Sequence, residues 1–192
     1  MKIKISPLVF VMGAALLLSG EARGGSLPII LSAAIIHEAG HLIAAQLLKI
    51  RIKCIRLDIF GALIDAATLS CSYTREAVLC ISGPLANLLS VALVYALHPK
   101  FDCRLFTAAS LLFAFINLLP ARGFDGGRAL SCVLLSRFSP ALTARIISFT
   151  SLLSVFLLWS ASVYFIMRTG AYLSLFIFSS ALFARIFLVA KE

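Results

Sequence analysis

Charge is scarce in this chain. Only 13% of its 192 residues are charged while 61% are hydrophobic, and the mean hydropathy is +1.06. A soluble domain is roughly a quarter charged and under half apolar. So few polar residues cannot cover the surface of a water-soluble fold, which excludes that class. Acids are the rarest charges, eight against seventeen Lys and Arg, so the net charge is +9. In a soluble protein that excess would point to nucleic acid. Here the basic residues stand in short stretches between apolar segments, with no run long enough to follow a phosphate backbone, so no nucleic-acid partner is expected. The five cysteines are an odd number and form no CxxC pair, which argues against a disulfide framework and against a thiolate zinc site. There is no internal repeat, no low-complexity tract and no second, soluble domain.

What the sequence has instead is apolar length. Runs of about 20 apolar residues recur, each long enough to cross ~30 Å of hydrocarbon. Six spans are expected, at 7–19, 27–48, 76–97, 105–119, 142–167 and 171–190. The first is short and follows Lys2 and Lys4, as a signal peptide would, but 19–23 offers a poor cleavage site, so a retained span is favoured. Residues 126–138 are too few to cross and read as a helix buried in protein or lying at the interface. With the N-terminus inside, thirteen of the seventeen Lys and Arg residues fall on cytoplasmic loops and ends. The positive-inside bias therefore selects that orientation, with both termini cytoplasmic. In the longest connection, 49–72, Ile50, Ile52, Ile55, Leu57 and Ile59 interleave with basic residues and are followed by Phe60-Gly61. Such alternation predicts a strand, or a hairpin bending at Gly61.

Histidine is scarcer still, with three in the chain, yet two stand four residues apart in His37-Glu38-Ala39-Gly40-His41. On a helix that spacing puts both imidazoles on one face, able to share a metal. In HExxH hydrolases the intervening glutamate is not a ligand but handles the proton of the attacking water. Two core histidines beside a glutamate are the bland alternative. Glu38, however, falls near the middle of an expected span, where an ionisable side chain is costly and functional by default. Gly40 would let another backbone approach closely.

A catalytic zinc usually takes three protein ligands. Asp58 and Asp65 lie in the cytoplasmic connection and Asp102 in an outside loop near His98. Asp125 ends a segment in which Pro120 and Gly123 break a span and two glycines follow the acid. Broken helices at membrane depth occur where the backbone lines a buried site, so Asp125 is the expected third ligand. Its alternative role is an N-cap for the following helix. Arg128 reads as a topology charge at the membrane edge.

These motifs resemble those of the site-two proteases, the intramembrane zinc metalloproteases. The resemblance rests on HEAGH inside a span, on Asn117-x-x-Pro120-x-x-x-x-Asp125-Gly126-Gly127 with Phe124 where leucine is more usual, and on Ser82-Gly83-Pro84-Leu85-Ala86-Asn87. The stretch ending Phe60-Gly61 also resembles the family's membrane-associated strand region. Together these cover about residues 30–135, and the layout looks like the stage IV sporulation protein FB branch. The resemblance implies an all-α polytopic membrane protein of about six transmembrane helices with a short membrane-associated β-strand region after the second. One metalloprotease domain over 1–192 is expected, with a catalytic core at about 27–137 and no PDZ or CBS domain; members of that branch often carry a C-terminal CBS domain, so regulation through one is not carried over. The resemblance implies one Zn2+ per chain on His37, His41 and Asp125, with Glu38 as general base and acid. Asn117 would steady the substrate or its oxyanion, or make a helix-packing hydrogen bond. Asn87, with Gly83 and Pro84, would position substrate or join two helices. Gly61 would contact substrate. The expected partners are a membrane-associated protein substrate, the lipid bilayer and regulatory membrane proteins, in a bacterial cell membrane, with pro-sigma-factor processing as one candidate process. Rival readings are a catalytically silent homologue that binds helices, a zinc transporter, and a prenyl-protein protease. Intact Glu38, the single histidine outside the motif and the position of Glu76, the only remaining glutamate near a span, at that span's edge weigh against these in turn.

Overall fold

The computed structural model describes residues 2–5, 26–50, 52–58, 61–66, 72–97, 103–169 and 173–189. The expected first span at 7–19 lies outside them, as does Asp102. Among the described residues there are six helices: α1 (Ser26–Leu47), α2 (Tyr73–Leu97), α3 (Arg104–Leu118), α4 (Asp125–Leu135), α5 (Pro140–Thr169) and α6 (Leu173–Val189). Three of them hold apolar stretches long enough to cross a membrane, Pro28–Leu47, Tyr73–Leu97 and Pro140–Thr169, while Arg104–Leu118 and Leu175–Ala184 are shorter apolar helices. Their boundaries fall within a few residues of the apolar runs. The helix at Asp125–Leu135 has 11 residues, too few to cross.

The three strands are β1 (Lys2–Ile5), β2 (Ile52–Asp58) and β3 (Gly61–Ala66), in one sheet of order β1-β2-β3. The antiparallel pair β2–β3 occupies the alternating stretch after α1 and pairs Asp58 with Gly61, while Phe60 lies outside the described residues. The strand β1 is a departure from the sequence reading, which treated Lys2 and Lys4 as charges flanking a span. Lys2–Ile5 alternates basic and apolar residues and runs parallel to β2, with Ile3 opposite Ile55.

Large apolar side chains point outward on every long helix, including Leu31, Ile35 and Ile43 on α1 and Leu85, Leu89 and Leu93 on α2. Small and polar residues point inward. On α1 the buried line is Ala33, His37, His41 and Ala45, one residue every fourth position. This inverts the pattern of a water-soluble bundle and suits helices whose outer faces meet hydrocarbon, with small residues letting backbones approach. α2 lies against α1, α3 and α4, and α5 pairs with α6 and touches α4. Between α5 and α6, beside the stacked rings of Trp159 and Phe183, Ser162 Oγ and Ser179 Oγ lie 2.7 Å apart and Trp159 Nε1 donates to Ser180 Oγ at 3.2 Å.

The link from α3 to α4 sets the position of Asp125. Pro120 biases the residue before it toward extended backbone, and Leu119 has φ −57° and ψ 134°, which stops α3. The chain then reverses through Gly123, whose φ of +96° suits a residue without a side chain. Buried Phe124 anchors the turn against Ala121, Val155 and Leu182. Arg122 N and its guanidinium each donate to a serine of α5, Ser151 Oγ and Ser148 Oγ, both at 2.8 Å. α4 therefore begins at Asp125 itself, with Phe124 as its cap. The N-cap alternative for Asp125 is not what the chain adopts.

Candidate metal centre

The i, i+4 spacing on α1 stacks His37 and His41 on its buried face, 3% and 4% exposed, with ring centroids 4.9 Å apart. The start of α4 delivers Asp125 opposite them. Asp125 Oδ2 lies 3.1 Å from His37 Nε2 and 3.0 Å from His41 Nε2, and the two Nε2 atoms are 3.3 Å apart. Among the described residues, this is the group whose ligand atoms all fall within 4.8 Å of one another. Bonds of ~2.0–2.1 Å to a tetrahedral zinc place neighbouring donors about 3.3 Å apart, so the spacing fits such an ion.

The hydrogen bonds behind the rings strengthen the fit. His41 Nδ1 lies 2.8 Å from the carbonyl oxygen of Leu79 on α2. A carbonyl only accepts, so Nδ1 carries the proton and the Nε2 of neutral His41 presents a lone pair to the centre. That lone pair faces a carboxylate oxygen at 3.0 Å. Two acceptors at that separation need a proton or a cation between them. An imidazole, imidazole, carboxylate set suits zinc, and orientation of each ring through its other nitrogen is the usual support of such sites.

Room for the rings comes from α2. A Cβ built on Gly83 would overlap His41 Nε2 and lie 2.9 Å from His37 Nε2. Gly40 plays the reciprocal part on α1: its Cβ would sit 2.6 Å from both Ala86 Cβ and Ser82 O. Glu38, the residue after His37, is only half-buried and acts electrostatically on His41.

The remaining expected site residues are placed unequally. Asn87 is fully buried, with its amide 3.3 Å from His37 Nδ1, so it stands behind a histidine. Asn117 is buried near the end of α3, and its Nδ2 donates to Phe113 O one turn earlier in the same helix at 3.0 Å. Gly61 opens β3. Arg128 lies 3.7 Å from Glu76 of α2 and lines a cleft of about 250 Å3 with Tyr73, Gly123, Gly127 and Ser131. The orienting role of the Leu79 carbonyl left no trace in the sequence, because any residue type supplies that group.

No family model matches the chain. It is 31% identical over 137 residues to stage IV sporulation protein FB of Bacillus subtilis (strain 168), covering 68% of this chain and 46% of that protein. The chain thus spans about half the length of this curated relative. Its fold is similar to that of the site-2 protease from Methanocaldococcus jannaschii, with a TM-score of 0.66 and 18% identity over 96% of this chain and 88% of that one.

Proposed function

We propose that this chain, a relative of stage IV sporulation protein FB among the site-two proteases, is an intramembrane zinc metalloendopeptidase. Its reaction is hydrolysis of a peptide bond in or near the membrane segment of a membrane-associated protein. The observation that carries this reading is the meeting of His37 and His41 with an acid 84 to 88 residues away, at the spacing of a metal's donors and with a glutamate beside the first histidine. Three long apolar helices and two shorter ones support a multi-pass arrangement in a bacterial cell membrane. The distribution of Lys and Arg supports cytoplasmic termini and access from the cytoplasmic side.

His37, His41 and Asp125 would hold the ion. Zinc, when bound, supplies a Lewis acid that acidifies water and polarises a carbonyl. Glu38 takes a proton from the attacking water and returns it to the departing amide nitrogen, the work of a general base and then a general acid. The Leu79 carbonyl keeps the His41 proton on Nδ1, away from the reacting centre. A substrate helix hides its amides in internal hydrogen bonds and must unwind before cleavage. Among the described strands β3 lies at the edge of the sheet, so an unwound segment would add there by β-pairing beside Gly61. One relative is named for sporulation, and the substrate proposed for this chain is a membrane-associated pro-protein such as a pro-sigma factor.

The test uses detergent-purified chain, with zinc per chain and cleavage of a membrane-tethered substrate measured together. Wild type binds one zinc and cleaves. Glu38→Gln keeps the zinc and loses about 10²- to 10⁴-fold in rate. Asp125→Ala loses both. Cleavage that survives Glu38→Gln would sink the mechanism, and zinc retained by Asp125→Ala would remove that residue from the ligand set.

A further inference from the structure

Both histidines turn Nδ1 away from the centre and toward α2. For His41 the partner is a carbonyl, which fixes the tautomer. For His37 the partner is the side-chain amide of Asn87, 3.3 Å away and fully buried. With its nitrogen toward the ring, this amide donates to Nδ1 and leaves Asn87 Oδ1 buried without a hydrogen-bond partner. The ring proton of His37 is then forced onto Nε2, 3.1 Å from Asp125 Oδ2 and 3.3 Å from His41 Nε2, where a cation would have to sit. The two ends of an amide have nearly the same shape, and their orientation is decided by their hydrogen bonds. A half-turn about the Cβ–Cγ bond puts the oxygen against Nδ1, gives the orphaned acceptor a donor, and frees Nε2.

We propose that Asn87 is a positioning residue whose side-chain oxygen accepts the Nδ1–H of His37, holding that ring in the tautomer that presents an Nε2 lone pair to the centre. Asn87 makes no contact with substrate in this role and acts through His37. The inference rests on the zinc reading above. Leu79 and Asn87, two turns apart on α2, then do the same work for His41 and His37.

The acceptor role is separable from a donor or packing role by substitution. Asn87→Leu keeps much of the volume and removes the acceptor. Asn87→Asp keeps the acceptor and removes the donor. Zinc affinity, measured by competition with a chromophoric chelator, is expected to fall about 10- to 100-fold in Asn87→Leu, the usual cost of losing such a partner. It is expected to stay close to wild type in Asn87→Asp. Nitrogen NMR of histidine-labelled wild type is simple to assign with three histidines in the chain. In the zinc-loaded protein it should show His37 protonated at Nδ1 alone. Wild-type affinity in Asn87→Leu, an equal loss in Asn87→Asp, or a proton on His37 Nε2 would each overturn the proposal. The last measurement decides the matter even where a variant does not fold. Wild type that binds no zinc would refute the zinc reading itself, a different failure from altered pairing in a protein that binds it.

Discussion

Replacing Gly83 by alanine separates the stability of the helix from the integrity of the centre. α2 is a 25-residue helix, and alanine is the better helix former by ~0.5–1 kcal/mol. Considered alone, the substitution strengthens α2. The added Cβ, however, would overlap His41 Nε2 and lie 2.7 Å from His41 Cε1 and 2.9 Å from His37 Nε2. Carbon contacts settle at about 3.5–4.0 Å. The rings must therefore move by about 0.6–1.3 Å, or α1 must back away by as much. The second course is opposed by Gly40, which already sits close against Ser82 and Ala86. Metal–ligand distances tolerate only about 0.2 Å. A shift several times larger costs at least one ligand, and zinc affinity should fall by about 100-fold or more, some 2.7 kcal/mol.

The assay compares two quantities in the same preparations. Metal-free Gly83→Ala should melt at or above the wild-type temperature in detergent. The rise in melting temperature that zinc gives wild type should be lost, along with bound zinc and cleavage. Wild-type zinc affinity in a folded Gly83→Ala would refute the claim that the rings need this space. A large loss of metal-free stability would place the clash in the helix packing instead.

Two further outcomes test the surroundings of the centre. Arg128 and Glu76 lie 3.7 Å apart and are 24% and 31% exposed, so their attraction is screened by water. Arg128→Ala should change thermal stability by less than about 1 kcal/mol, and a larger loss would show that the pair is tied into more than a partly exposed contact. Cys80 and Cys132 are buried whereas Cys103 is only partly so. Alkylation resolved by peptide mass spectrometry should modify Cys103 in the native protein and reach the other two only after denaturation; native labelling of Cys80 would contradict the packing of α2 behind His41.

The centre was legible in the sequence where its signal is local or rare. Two histidines at helical spacing need no tertiary information to be placed on one face. So few acids left Asp125 as the one in a broken span, and the Pro120 and Gly123 that marked the break are the residues that stop α3 and turn the chain. The hairpin β2–β3 was legible because its alternation is long and its strands adjacent. β1 was not, because a four-residue alternation is too short to stand out and its partner lies some fifty positions away, Lys2 against Cys54. The Arg128–Glu76 contact was hidden for the same reason: it joins α4 to α2, and pairing across helices leaves no periodic trace.

Gly83 and Asn87 belong to a third kind, visible as residues but not as roles. A glycine, a proline and an asparagine in an apolar helix announce that something approaches, without saying what. The geometry supplies the object. Leu79, Gly83 and Asn87 follow one another at four-residue steps, so they form a single buried line along α2, and that line faces the two imidazoles. One member offers a backbone acceptor, the next offers empty space and the third offers a side chain. α2 adds no side chain to the cluster of His37, His41 and Asp125, yet it governs how both histidines of α1 are oriented. Its contacts with α4 as well as α1 explain how a donor set split between distant segments is kept in register.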